Sequence, residues 1–522
     1  MATATSNRYT SNHPTAIAQS PLSIDHPQLR DLLSCPHEQG VVLYLRHHDI
    51  VEQNLNRPDA PTRCLVHLGF TPSSLNSLAI GEDTLVASGG SWHAELHLSY
   101  HRPVPADADV PMFTEPEWSY NCKLNGTLNN SVVLTTSTSS AAEPRVGVTN
   151  NDGTFRLYDC AIRKQPLTFD SDDDSDEDEE DDSDGDDGRL DCVGSLRLDT
   201  CVNYASISPN GRMILTVGDS PNAYLHDLRG SSLVDFHPIA ITPLPVPTNV
   251  PPHYPPERPS SFTASFSAAW ARDGTKYAVG SQEGVVAVWD IRTTGRPLKV
   301  MQVDKMRGMG PGGLGAAVGS ISWDPSDWFF SNAPSWSVRN VKFVGDENGV
   351  NESLVFTEHT SLVHVLDAKT FEHDEIVRVP SRMHESAPPP LAPLPPRLTL
   401  AAYSYRYNPS STSLTASHSS PTLVQPVLRH QRSNSWPVTD PTTNHAASPL
   451  ATTRDPESFA KLPKGAPLRF PDTVISGGYV FETPEFEYDD ELDIAGLAFD
   501  PSGKWMYVGT DEGVVEWELR RR

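Results

Sequence analysis

His93, His97 and His101 recur at four-residue intervals, and on a β-strand residues i and i+4 project from one face. A row of imidazoles can bind zinc, but no Cys or carboxylate trio stands nearby to complete a ligand set. The ladder therefore reads as strand polarity. His47-His48-Asp49 and Glu358-His359 set bases beside acids without a nucleophile at useful spacing. Gly308–Gly319 is glycine-rich, yet it contains Pro311 and lacks a Gly-Lys-Ser/Thr ending. It is a flexible loop and not a phosphate cradle. These residue patterns give no catalytic, cofactor or metal site, and the chain is expected not to be an enzyme.

Two other patterns carry chemistry. Ser171, Ser175 and Ser183 each precede a carboxylate by three residues (Asp174, Asp178 and Asp186) inside Asp170–Asp187, where 14 of 18 residues are acidic. An acid-directed kinase of the casein kinase 2 type reads that spacing, and each phosphate would add about −1.5 to −2 charges. The same run could dock basic proteins such as histones, or act only as a solvated, self-repelling loop. The second pattern is Arg432-Ser433-Asn434-Ser435-Trp436-Pro437. An Arg three residues before Ser435 suits a basophilic kinase. The string resembles a mode-one 14-3-3 ligand, with phospho-Ser435 as the anchor and Pro437 turning the chain out of the groove.

Composition limits what could position these motifs. The chain has 522 residues, 47 of them Pro, and a net charge of −27. About half of that charge lies in the acidic run, so a broad basic surface for nucleic acid is not expected. No apolar stretch approaches the length of a membrane span, and Met1–Ser20 lacks the basic and apolar regions of a signal peptide. The six cysteines form no C-x-x-C pair. Reduced thiols in the cytoplasm or nucleus are expected. Ser381–Asp472 has 38 Ser, Pro or Thr among 92 residues and reads as disordered.

The positioning elements emerge from internal repeats. Ser208-Pro209-Asn210-Gly211, Ala271-Arg272-Asp273-Gly274 and Asp500-Pro501-Ser502-Gly503 are turn signals, each between two alternating apolar stretches. A further strand follows each of them and ends in an acid, at Asp227, Asp290 and Glu518, which lie 16, 16 and 15 residues past the turn glycine. Short strands punctuated by Gly, Asp and Asn at near-regular spacing predict an antiparallel all-β array.

In these units the chain resembles the WD-repeat β-propellers. Trp289-Asp290 is the literal signature, and Tyr158-Asp159, His226-Asp227, Leu366-Asp367 and Trp517-Glu518 are degenerate versions. Six blade cores can be read, near Cys64–Tyr100, Ser131–Cys160, Val202–Arg229, Phe266–Arg292, Val338–Lys369 and Ile494–Leu519. Gly40–Arg46 and Asp49–Leu55 hint at a seventh. Setting aside a disordered N-terminus (1–22) and insertions at 165–190 (acidic), 231–262 (Pro-rich), 303–336 (Gly-rich) and 381–472 leaves about 316 residues, or about seven blades of roughly 43. A single seven-bladed propeller over 23–519 is the favoured fold, with six blades the alternative and N-terminal strands closing the last blade. His26–Pro36, Ser337–Phe343, Val355–His359, Val363–Phe371 and Ile494–Gly503 further resemble uncharacterised fungal WD-repeat proteins that carry a short domain of unknown function toward the C-terminal end.

Asp227-Leu228-Arg229 and Asp290-Ile291-Arg292 are similar to the paired Asp-x-Arg boxes of propellers that serve as substrate receptors of cullin-4 ubiquitin ligases. That resemblance implies an adaptor-binding role for Asp227, Arg229, Asp290 and Arg292; otherwise each Asp caps a turn and its Arg neutralises it. The expected function is a non-catalytic protein-interaction scaffold with phosphorylation-controlled arms. An enzyme using the propeller's central pocket is the competing class.

Overall fold

The computed structural model describes residues 9–26, 28–57, 61–90, 93–103, 113–136, 143–162, 189–248, 264–304, 336–345, 351–359, 361–372, 374–380 and 492–520. They form seven four-stranded antiparallel sheets arranged as the blades of a propeller. Blades one to six follow the chain at 33–67, 72–123, 129–197, 202–243, 265–302 and 338–378. Blade seven combines three C-terminal strands, Ile494–Phe499, Trp505–Thr510 and Val514–Glu518, with Ala16–Ala18 as its outer strand. Ala16 pairs with Glu516 and Ala18 with Val514. This closure joins N-terminal and C-terminal segments in one sheet and covers the edge that Val514–Glu518 would otherwise present.

The repeat turns recur in backbone as well as in sequence. Gly211, Gly274 and Gly503 have φ of 67°, 68° and 66°, a left-handed conformation that glycine adopts without a Cβ clash. Nearby side chains brace the same turns, as where Asp500 Oδ1 accepts the Trp505 amide at 2.8 Å and Asp273 Oδ1 that of Thr275 at 2.9 Å. Each strand that the acidic endings mark is the third of its blade. Apolar residues of neighbouring blades interlock between the sheets. Trp289 is 1% exposed and stacks on Tyr277 with ring centroids 5.4 Å apart, and both pack with Leu215 and Leu225 of blade four.

Several boundaries differ from the sequence reading. The chain between 1 and 22, expected as a disordered tail, contains Ala16–Ala18, and Glu375 of blade six accepts the Tyr9 and Thr10 amides at 2.7 and 3.0 Å. Cys64 lies on Arg63–His67, the outer strand of blade one, so the core read as Cys64–Tyr100 spans two blades. The Pro-rich stretch 231–262 contains Asp235–Pro243, the outer strand of blade four. Its Pro238 and Pro243 occupy an edge strand, where a missing N–H need not break a ladder. The acidic insertion stops short of Leu190, where the strand Leu190–Arg197 begins. Val303 and Trp336, the expected limits of the Gly-rich insertion, are both buried against blades five and six.

Every inner strand runs in one direction along the central channel. The face on which these strands begin is termed upper here, and the face on which they end lower. Second-to-third and fourth-to-first connections lie on the upper face, first-to-second and third-to-fourth connections on the lower.

Candidate functional site: a strap across the channel and a pocket beneath it

Between the outer strand of blade seven and the inner strand of blade one (Leu33–Ser34), the chain crosses the upper end of the channel. Leu29 packs on Ala264 and Phe266 of blade five. Arg30 makes a two-pronged pair with Asp493, just ahead of blade seven, Nε to Oδ1 at 3.2 Å and Nη2 to Oδ2 at 2.9 Å. Its Nη1 donates to the carbonyls of His26 and Leu29 at 2.6 and 3.0 Å. The Arg30 carbonyl accepts a hydrogen bond from the side-chain Nδ2 of Asn340 in blade six at 2.9 Å. Bidentate pairing with additional carbonyl partners is the geometry in which a buried guanidinium is tolerated.

His26 acts as an acceptor in the strap. Its Nδ1 takes the backbone N–H groups of Gln28 and Leu29, each at 3.2 Å. Burial, and then the charges of Arg30 and Arg339, lower its pKa to about 4, so the imidazole is neutral and keeps that lone pair free.

Asp31 lies where the strap turns into the channel. Its carbonyl accepts the Leu75 amide of blade two at 2.9 Å. Its carboxylate receives Lys342 Nζ of blade six at 3.1 Å and the Tyr204 hydroxyl of blade four at 3.3 Å. Lys342 Nζ also donates to the Tyr204 oxygen at 3.5 Å. Burial disfavours the ammonium, but the adjacent Asp31 carboxylate and Tyr204 oxygen more than offset it and raise the lysine pKa. Burial and Asp31 push the Tyr204 phenol up to about 12. An ion pair and two hydrogen bonds thus tie strap residue Asp31 to the inner strands of blades six, four and two.

Beneath this pair is a cavity of about 200 Å3 whose lining includes Asp31, Lys342, Ser34, Cys35, Asn76 and Leu497. Burial pushes the Cys35 thiol well above its usual pKa, and nearby carboxylates push it further. It is held neutral, whereas a nucleophilic cysteine is a thiolate.

The lower face carries the Asp-x-Arg pairs. Arg229 Nε meets Asp227 Oδ2 at 2.7 Å, with the Arg side chain 61% exposed. Arg292 reaches Asp290 through Nη2 at 2.5 Å and Nε at 2.9 Å, and is 76% exposed. The Arg292 side chain and backbone N–H hold Asp290 down to about 2. The structure brings the two pairs to the same face of adjacent blades, each turned first toward its own Asp. Ile162 and Arg189, which flank the acidic tract, lie on that face of blade three. Ser171, Ser175 and Ser183, and likewise Arg432, Ser433, Ser435 and Pro437, lie outside the described residues.

The histidine ladder divides. His97 and His101 are buried on one strand of blade two, bonded to Asn121 at 2.8 Å and to Ser99 at 2.8 Å, while His93 is exposed in the preceding turn. Burial lowers both buried imidazoles to about 4. Among the described residues no group of three or more His, Cys, Asp or Glu could hold a metal ion, and no helix is long and apolar enough to cross a membrane.

The strap's partners were not found as site residues by sequence reasoning. The available signal was Arg339, Asn340 and Lys342 in the otherwise apolar strand Val338–Val344, since charges in a buried strand need partners. A family model described as an uncharacterised protein domain (DUF2415) matches residues 337–378. A comparison with curated proteins finds no match. The matched segment coincides with blade six. That blade supplies Asn340 and Lys342 to the strap, and Glu375 to the N-terminal residues Tyr9 and Thr10. It also buries His364 between Glu358, at 2.7 Å, and Asp374, at 2.9 Å.

Proposed function

We propose that the protein is a non-catalytic interaction scaffold or adaptor that works through its lower face, its rim and the segments that leave its blades. The observation that carries this reading is the strap. The upper end of the channel, where a propeller enzyme would gather convergent acids and bases, is crossed by the chain itself, and the strap's Arg30 and Asp31 are paired to blades. The exposed groups lie elsewhere.

A more specific reading is a substrate receptor of a cullin-4 type ligase. It is supported by two exposed guanidiniums, Arg229 and Arg292, on one face of neighbouring blades. In this scheme the phosphorylatable segments act as docking arms, Ser435 for 14-3-3 and the acidic tract with Ser171, Ser175 and Ser183 for basic proteins, in the cytoplasm or nucleus.

Proximity labelling tests both levels, with the intact protein beside a variant lacking 381–472 and the double variant Arg229→Ala, Arg292→Ala. The scaffold reading expects proteins enriched over control, with a subset lost on deletion of 381–472. The ligase reading expects the cullin-4 adaptor to disappear with the two arginines. No enrichment by the intact protein removes the first reading, and adaptor labelling unchanged by the double substitution removes the second.

A further inference from the structure

The cavity beneath the strap has a polar end and an apolar one. The Asp31–Lys342 pair and the Asn76 side chain form the first, and Phe343, Leu497 and Phe499 line the second. Phe343 and Phe499 are partly exposed near the lower ends of their strands, on the side away from the strap. Solvent reaches the pair itself, since the Lys342 and Asp31 side chains are 27% and 13% exposed.

The hydrogen-bonding capacity at the polar end is only partly used. Lys342 Nζ donates to Asp31 at 3.1 Å and, at 3.5 Å, to the Tyr204 oxygen, which leaves one of an ammonium's N–H groups over. Asp31 takes Lys342 on Oδ1 and the Tyr204 hydroxyl on Oδ2, and each oxygen keeps a further lone pair. No described residue hydrogen-bonds the Asn76 side-chain amide, which offers a donor and an acceptor together.

The charge here sums to zero. Lys342 and Asp31 cancel, the Tyr204 phenol is neutral, and so is the Cys35 thiol, the other titratable group on the lining. A ligand with one net charge is repelled by one member of the pair while the other attracts it, and it gives up its hydration to enter. A neutral group with a donor and an acceptor side by side meets all three partners without that cost.

We propose that this cavity binds a small neutral carboxamide as a free ligand, its amide against Asn76 and the Asp31–Lys342 pair and its apolar part against Phe343, Leu497 and Phe499. The volume of about 200 Å3 exceeds the roughly 150 Å3 of an engineered cavity that holds benzene, so a molecule of the size of benzamide is accommodated. Such a ligand would bridge the inner strands of blades two, six and seven.

The test is a saturation-transfer NMR titration of the full chain at pH 7 with benzamide, benzoate and benzamidinium, which share a shape and differ in charge. Benzamide should bind about tenfold more tightly than either ion, and Asn76→Leu, which keeps the volume and removes the amide, should weaken it about tenfold. Absence of benzamide binding, equal binding of the three, preference for an ion, or benzamide binding unchanged by Asn76→Leu overturns the proposal. Should Asn76→Leu not fold, crystals of the unsubstituted protein soaked in benzamide decide: the amide ordered against Asn76 upholds the site, and water alone overturns it. Displacement of benzamide by a glutamine-centred tripeptide at benzamide's own affinity would make a partner's side chain the occupant and overturn the free ligand.

Discussion

The two faces of the propeller use arginine in opposite ways. On the upper side, Arg30 and Arg339 are buried, and the side chain of Arg30 is 2% exposed within its pair to Asp493. On the lower side, Arg229 and Arg292 stand 61% and 76% exposed beside their own aspartates. A buried pair resists losing one partner, because the remaining charge is left in a poorly polarisable surrounding. An exposed pair contributes little to stability because water and salt screen it. Removing one partner of the upper Arg30–Asp493 pair is therefore costly, and the lower pairs can change with little effect on the fold. A surface that is free in this sense is where binding can be selected.

That contrast can be broken by substitution. The largest effect is expected for Asp493→Ala, which strands Arg30 beside Arg339 and should cost about 3 kcal/mol in urea unfolding; a loss below about 1 kcal/mol would mean that the strap is not held by this pair. Lys342→Met removes the cation from Asp31 and Tyr204 and should cost roughly 2 kcal/mol by the same measurement. It should leave Ala16–Ala18 paired, as hydrogen exchange at those amides would report.

Asp511 gives a prediction of opposite sign. Burial, with Asp493 and Glu512 adding to it, raises its pKa to about 6. The folded state therefore binds this proton more tightly than the unfolded chain, and stability falls as pH rises from about 4 to about 6. Asp511→Asn, which keeps an acceptor for the Asp493 amide, should be about 1–2 kcal/mol more stable than the native chain at pH 7. The gain should vanish near pH 4, and a gain independent of pH would place its cause elsewhere. The smallest effect belongs to the lower face. Arg229→Ala with Arg292→Ala should leave the urea unfolding midpoint unchanged, so that any loss of partners in that variant reports binding and not folding.

How much of this was legible depends on the range of the interaction. The turn glycines, the acidic ends of the third strands and the seven-blade arithmetic are local or periodic signals, and each corresponds to a feature of the fold. The Asp-x-Arg pairs were equally legible, since each partner is two residues from the other. The strap was not. Arg30 and Asp493 lie 463 residues apart, and Asp31 and Lys342 lie 311 apart. No period or spacing connects them. The strand Asp235–Pro243 was hidden for another reason: its prolines signal loop in a central strand but are compatible with an edge strand.

By itself, then, the sequence determined the repeating β-unit, the approximate number of blades and the chemistry of the exposed pairs, because hydrophobic alternation and turn residues act over a few positions. Only the tertiary structure decided what occupies the channel. Closing a ring of seven blades brings inner strands from distant parts of the chain around one axis, and the charges in His26–Asp31 find their partners only once that ring exists. The same closure leaves Arg339 buried beside a carboxylate already taken by Arg30, a charge balance set by spatial neighbours and not by neighbours in the chain.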